Sequence, residues 1–292
     1  MKKNILLLLS IMISVYSFAT DKPAYKIVDK TGKEVTYKQM IDAMSKADVI
    51  FFGEYHDNPI SHWLELEVTK SLYKIAESKL VLSAEMFESD NQLVIDEFLK
   101  GFYPVKKLEE DARLWPNYRT DYKPLLMFAK KNKLKFVAAN IPRRYASIVY
   151  KKGFEALNDL SKQAKEYIAP LPIKYDPELK CYKDMLQMSG MHSEMSKGMK
   201  NLPKSQAVKD ATMAYFINNN IIKGGKLIHY NGAYHSDYKQ GTVWYLQKLN
   251  KNLKIVNITT ALSNSDNLQI NDSELQRADY IIVVPDNMTR TQ

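Results

Sequence analysis

The stretch Asp48-Val49-Ile50-Phe51-Phe52-Gly53-Glu54-Tyr55-His56 decides the fold. Its apolar run is unbroken rather than alternating, the pattern of a strand covered on both faces, and it ends in a turn that carries a carboxylate and an imidazole. The device recurs along the chain. Leu80-Val81-Leu82-Ser83-Ala84 runs into Glu85, Phe136-Val137-Ala138-Ala139 into Asn140, and Leu227-Ile228 into His229-Tyr230-Asn231-Gly232-Ala233-Tyr234-His235. Helical patterns near 60–77, 91–100 and 121–132 separate strands at 48–52, 79–84 and 135–139. This βαβ rhythm predicts an α/β fold, a mainly parallel sheet flanked by helices. The carboxyl ends of such strands share one edge, so residues as far apart as Glu54 and His235 can converge on one pocket.

The rhythm stops at Pro142 and returns with strand patterns at 226–230, 254–259 and 280–284. Residues 142–220 read as helices punctuated by Gly153, Pro170-Leu171-Pro172, Pro177, Gly198 and Pro203. The expected organisation is therefore an α/β domain from 20–141 and 221–292 with a smaller helical subdomain at 142–220. A short hairpin is expected at the start, from Tyr25-Lys26-Ile27-Val28 through Thr31-Gly32 to Glu34-Val35-Thr36.

Residues 1–19 read as a signal peptide: Lys2-Lys3, an apolar run from Ile5 to Val15, then Ser17-Phe18-Ala19 as a small-x-small cleavage site. The expected location is the periplasm or the outer-membrane surface. Cys181 is the single cysteine, so no intramolecular disulfide can form, and the roughly 270 residues left after cleavage must hold together by their core. Lys and Arg number 42 against 33 Asp and Glu, a net charge of +9 that loses Lys2 and Lys3 with the signal. Dispersed lysines of this kind describe a solvated surface, and no nucleic-acid partner is expected.

Glu54, His56, Glu85 and His229 are the candidate catalytic residues, with His235 beside them. Imidazole titrates near neutrality and a neighbouring carboxylate fixes its tautomer, so the set suits general acid/base chemistry; it equally suits a divalent metal. His62, inside a helical pattern, reads as a surface or internally satisfied histidine. Nucleophile elbow, Walker loop and HExxH are all missing from the sequence.

Five ordered motifs carry a family resemblance: Asp48 to Asn58, Ser83-Ala84-Glu85-Met86-Phe87, Asn140-Ile141-Pro142-Arg143-Arg144, Gln206 to Ala214, and His229 to His235. Together they resemble the ChaN-like family of bacterial haem-binding, iron-regulated lipoproteins, over roughly residues 45 to 285. The resemblance implies an α/β domain with a smaller helical domain, and haem held at a homodimer interface through a tyrosine with a histidine nearby. It implies a role in haem and iron acquisition, with an outer-membrane haem receptor as a candidate partner. The wider group includes erythromycin esterase-like and metal-dependent protease-like proteins, which keeps a hydrolase built on the strand-end pocket as the alternative. The chain departs from the lipoprotein pattern in one respect: Ala19-Thr20-Asp21 offers no cysteine for a lipid.

Within the helical subdomain, Met185, Met188, His192, Met195 and Met199 fall at the alternating three- and four-residue spacing of a helix seam. Soft, adaptable methionines around an imidazole suit a flat apolar plate, though a Met-rich core helix has the same pattern. Upstream, Pro142 opens a helix that carries Tyr145 and Tyr150, bracketed by Arg143, Arg144, Lys151 and Lys152. Tyrosinate is a haem-iron ligand, and the cations suit propionates. The expected haem residues are Tyr150 as iron ligand, with His192, Arg144, Met188 and Met195, chosen from a chain that holds 19 tyrosines.

Overall fold

The computed structural model describes residues 22–188 and 197–291. The segment expected to be a signal peptide lies outside them. Seven strands form one sheet: β1 (Lys26–Asp29), β2 (Val49–Glu54), β3 (Leu80–Glu88), β4 (Lys135–Asn140), β5 (Lys226–Gly232), β6 (Ile255–Ser263) and β7 (Tyr280–Pro285). Their order is β1-β7-β6-β2-β5-β3-β4. Every pairing is parallel except β1 with β7.

The unbroken apolar runs are explained by the two covered faces. Phe52, Leu82, Phe136 and Tyr230 point to one side, where they pack with buried residues of α1 (Tyr37–Met44), α2 (Pro59–Ala76), α3 (Gln92–Leu99), α4 (Val105–Asp111) and α5 (Lys123–Lys131). Their neighbours Phe51, Val81, Val137 and Leu227 point to the other. Each such side chain, fully withdrawn from water, contributes about 1.5–3 kcal/mol before the entropy of ordering it is counted.

Residues 142–220 contain no strand among the described residues. They hold α6 (Arg143–Lys152), α7 (Lys162–Lys165), α8 (Lys180–Met188), α9 (Lys197–Lys200) and α10 (Leu202–Asn218), and α11 (Thr242–Leu249) follows β5. The last helix of the segment is part of the sheet's own cover: Ala207, Ala211, Met213, Ala214 and Ile217 of α10 share a core with Val137 and Leu227. In turn α6 packs Tyr145, Ala146 and Val149 against Val208 of α10. The helical segment is thus built outward from the sheet through α10.

The expected hairpin is reduced to a single bridge, Val28 with Glu34. β1 instead lies along β7, Lys26 opposite Val283 and Asp29 opposite Tyr280, which buries Ile27 and Val28 against a full ladder. The second half of the hairpin sequence is used otherwise: Thr36 accepts from the Gln39 backbone, Gln39 accepts from the Thr36 backbone, and the two form the capping box of α1.

Two local devices set the functional edge. Asn58 caps α2 by accepting from Ile60 N and Ser61 N, both at 3.0 Å, with Pro59 in the first turn. The cap aims the first turns of α2, with His62 and Glu65, back at the end of β2. In β3 the register with β4 shifts between Ala84 and Glu88, and Glu85 lies inside that irregularity.

Candidate active and ligand-binding site

A cavity of about 1000 Å³ opens over the carboxyl ends of β2, β3, β4 and β5. Glu54, Glu85, Asn140 and Gly232 reach it from four strands, His56 and His235 from the turns that follow, and Lys209 from α10. Trp115 and Ile141 supply apolar wall.

Glu54 ends β2 and is buried. Its Oε1 accepts from His56 Nδ1 at 2.7 Å and from the Tyr122 hydroxyl at 2.9 Å. Burial opposes its ionisation, but the hydrogen bond from His56 and the adjacent His62, 2.9 Å away, outweigh burial and hold its pKa at about 2. Burial lowers the His56 pKa; its bond to Glu54 and the charge of Glu85 reverse that, and the net shift is upward. The His56 ring lies edge-on to Trp115, centroids 4.8 Å apart. Its Nε2 faces Gly232, where a Cβ would stand only 2.7 Å away, so any side chain at that position would push the His56 ring aside.

Glu85 accepts from Gly232 N–H at 2.9 Å through Oε2 and lies 3.2 Å from His235 Nε2 through Oε1. His235 Nδ1 donates to Asp210 Oδ1 at 2.7 Å. Burial disfavours the imidazolium of His235, yet the charges of Glu85 and Asp210 prevail and push its pKa up to about 10. Burial likewise works against the Glu85 anion, and the His235 charge overcomes it, so the carboxyl is driven below its usual range. The two histidines therefore differ in kind. His235 is a fixed cation with both N–H groups engaged, whereas His56 keeps Nε2 turned to the cavity, where it can take or give a proton.

The structure brings Glu54, His56 and Glu85 together and leaves His229 out. His229 is the fourth residue of β5, not a residue beyond its end, because Asn231 and Gly232 continue the ladder opposite Gly53 and Glu54. Its side chain is fully buried, shares a 2.9 Å hydrogen bond with Ser83 through Nδ1, and packs edge-on against Phe51. Burial depresses its pKa to about 3, so it is neutral at ordinary pH. His235, six residues on, occupies the place expected for it. His62 is satisfied internally: Nε2 donates to the His56 carbonyl at 3.1 Å and Nδ1 to Glu65 at 3.2 Å.

The second expected site centres on α6. Tyr150 is half-buried and shares a helix face with Ser147 and with Arg143, which lines the cavity mouth about 10 Å back along the axis. Arg144 is engaged elsewhere, donating to Asp90 at 2.5 Å and lying 4.5 Å over the Tyr145 ring. Lys151 and Lys152 are exposed beside Tyr150. Gly153 closes the helix at φ +88°, a conformation that favours glycine. His192 and Met195 lie outside the described residues, as does the side chain of Met188; Met185 lines the cavity.

Asp210 was not singled out as a site residue by sequence reasoning, although it accepts from His235, from the Tyr182 hydroxyl at 2.7 Å and from Thr242 at 2.8 Å. The available signal was its place in the Gln206 to Ala214 motif.

A family model described as "Haem-binding uptake, Tiki superfamily, ChaN" matches residues 40–246. A solved structure of ChaN of Campylobacter jejuni, described as showing cofacial haem binding, is 22% identical and superposes with a TM-score of 0.69 over 88% of this chain and 96% of that one. The chloroplastic protein RETICULATA-RELATED 5 of Arabidopsis thaliana is 24% identical over 214 residues, 69% of this chain. The chain spans 29% of the length of that curated relative.

Proposed function

The chain belongs to the haem-binding uptake (ChaN) family, whose ligand is haem, and on that premise we propose that two copies hold haem between them for iron acquisition, with the Tyr150 phenolate as iron ligand. The observation that carries the choice is the state of the phenols on this side of the molecule. Tyr145 is buried and Tyr182 is buried with its hydroxyl committed to Asp210. Tyr150 is half-buried, its hydroxyl makes no hydrogen bond to the described residues, and Lys151 and Lys152 are exposed next to it. That combination fits a flat apolar group with anionic arms.

Ferric haem, when bound, supplies an iron that takes a phenolate in preference to a phenol. The chain's part is to present Tyr150 at the protein surface, to set Lys151 and Lys152 where propionates can reach them, and to close the outer face of the plate with a second subunit. Pairing is proposed because one helix face covers one side of a porphyrin, and the other side would stay in water. The cofacial haem binding described for the Campylobacter relative supports such a pairing. His192 of the partner copy is the proposed hydrogen-bond donor to the phenolate.

Haemin titrated into the haem-free chain is expected to saturate at one haem per chain, with a tyrosinate charge-transfer band and a shift from monomer to dimer in light scattering. Broadened absorption without an equivalence point contradicts haem binding. A monomer carrying one fully bound haem contradicts the interface alone.

Export completes the proposal, since haem uptake requires the chain where haem is met. It rests on the Lys2 to Ala19 pattern. The native protein is expected to have an intact mass that begins at Thr20; a mass that includes Met1 would refute export by this signal.

A further inference from the structure

On the side of Glu54 away from His56 lies a second group of titratable residues that the haem reading leaves unused. His62 and Glu65 project from one face of α2, three residues apart, toward the end of β2. All three side chains are buried, Glu65 completely. His62 Nδ1 stands 2.9 Å from Glu54 Oε2 and 3.2 Å from Glu65 Oε2. One N–H shared between two acceptors is well aligned with only one of them. It is directed at Glu65, which leaves Glu54 Oε2 and Glu65 Oε1 buried and without hydrogen bonds. Leaving buried carboxylate oxygens unpaired is costly, and a cation placed between the two carboxyl groups and the imidazole would satisfy both.

The surroundings are arranged as they are behind metal ligands. The other oxygen of Glu54 is held by Tyr122 and His56. The other nitrogen of His62 is held by the His56 carbonyl, with Asp121 Oδ2 at 3.4 Å. Such outer partners fix the tautomer and aim of a ligating imidazole and the orientation of a ligating carboxylate.

We propose that Glu54 Oε2, His62 Nδ1 and Glu65 bind a divalent first-row transition cation, entering through the strand-edge cavity that Glu54 also lines. The three donor atoms lie within 4.8 Å of one another. Tetrahedral coordination with bonds near 2.0–2.1 Å places ligands about 3.3 Å apart, close to the 2.9 and 3.2 Å that separate His62 Nδ1 from the two carboxylates. One imidazole and two carboxylates, with no thiolate, suit Zn²⁺ or Mn²⁺ rather than a soft cation. The ion takes the place of the Nδ1 proton of His62 and of the proton that burial and the Glu54 charge favour on Glu65; both are released to solvent, and Nε2–H stays on the His56 carbonyl. Because Glu54 also holds His56, the ion and the cavity's exposed imidazole share one carboxylate.

The test uses the haem-free full chain, stripped with chelator, loaded with Zn²⁺ and dialysed, with metal counted by mass spectrometry. One zinc per chain is expected to remain. Glu65→Gln, which keeps the side chain's size, is expected to weaken Zn²⁺ binding by more than about 10-fold and to remove the Zn²⁺-induced rise in Tm, while Tyr150→Phe changes neither. Co²⁺ in place of zinc is expected to give ligand-field absorption that changes in Glu65→Gln. A wild-type chain that emerges from dialysis without zinc overturns the proposal, whatever the variants do. So does a zinc lost in Glu85→Gln but kept at full affinity in Glu65→Gln, because the ion would then sit in the open cavity.

Discussion

Tyr150→Phe is expected to abolish the tyrosinate charge-transfer band of the haem complex and to lower haem affinity by about 100-fold, some 2.7 kcal/mol. The change removes one oxygen from a half-buried ring that has no hydrogen bond to the described residues, so the fold has little reason to respond. The loss is therefore attributable to the iron–oxygen bond. His56→Gln is the matched control. It alters the cavity above the sheet, which Tyr150 does not line, and haem affinity is expected to stay within about threefold, an effect below 1 kcal/mol. Absorption titrations of the two variants decide the matter. An intact band in Tyr150→Phe places the ligand elsewhere, and a large loss in His56→Gln makes the two sites one.

The largest expected effect on stability belongs to Asp210. Replacing it by Ala strands three donors at once: His235 Nδ1, the Tyr182 hydroxyl and the Thr242 hydroxyl. Asp210 is buried, and so is each of the three. The imidazolium of His235 would retain only Glu85 as a counter-charge. Removing one partner of a buried charge pair costs about 3–5 kcal/mol, a large share of the stability of any domain. Urea unfolding should show the midpoint falling with an unchanged slope. Asp210→Asn keeps an acceptor oxygen and should cost about 1–3 kcal/mol. An Ala variant within about 1 kcal/mol of wild type would mean that water replaces the carboxylate, and the cluster would lose its standing as a structural clamp.

The sheet was legible because parallel strands covered on both faces leave long apolar runs, and Val49 to Phe52 is such a run. Glu54 and His56 were legible for the same reason, since the apolar run and the strand end together there, whereas Glu85 showed as the break in an apolar run although β3 continues, buried, to Glu88. That rule failed at β5. Its apolar run ends at Ile228, but the strand continues to Gly232, because His229 and Asn231 are buried polar residues inside the ladder. His229 finds Ser83, and Asn231 finds Ser236 and the Gly232 carbonyl. No periodicity announces a buried polar residue such as His229, whose partner Ser83 is far away in the chain. The same blindness hid Asp210. His62 left one trace, its three-residue spacing from Glu65, yet the partner that gives this spacing meaning comes from a different element. The hairpin was misjudged because local pairing competed with β7, which is distant in sequence and longer as a template.

β5 lies between β2 and β3, although β2 precedes it by more than half the chain and β3 by nearly half. While residues 226–232 are unmade or unplaced, β2 and β3 have no common neighbour, and each exposes an open hydrogen-bonding edge of apolar sequence. The late strand must slot into the centre of an already begun sheet, a long-range closure that is slow to find. The pocket residues therefore acquire their geometry only once β5 is in place, and until then the half-built sheet offers its open edges to a chaperone or to a second copy of the same edge.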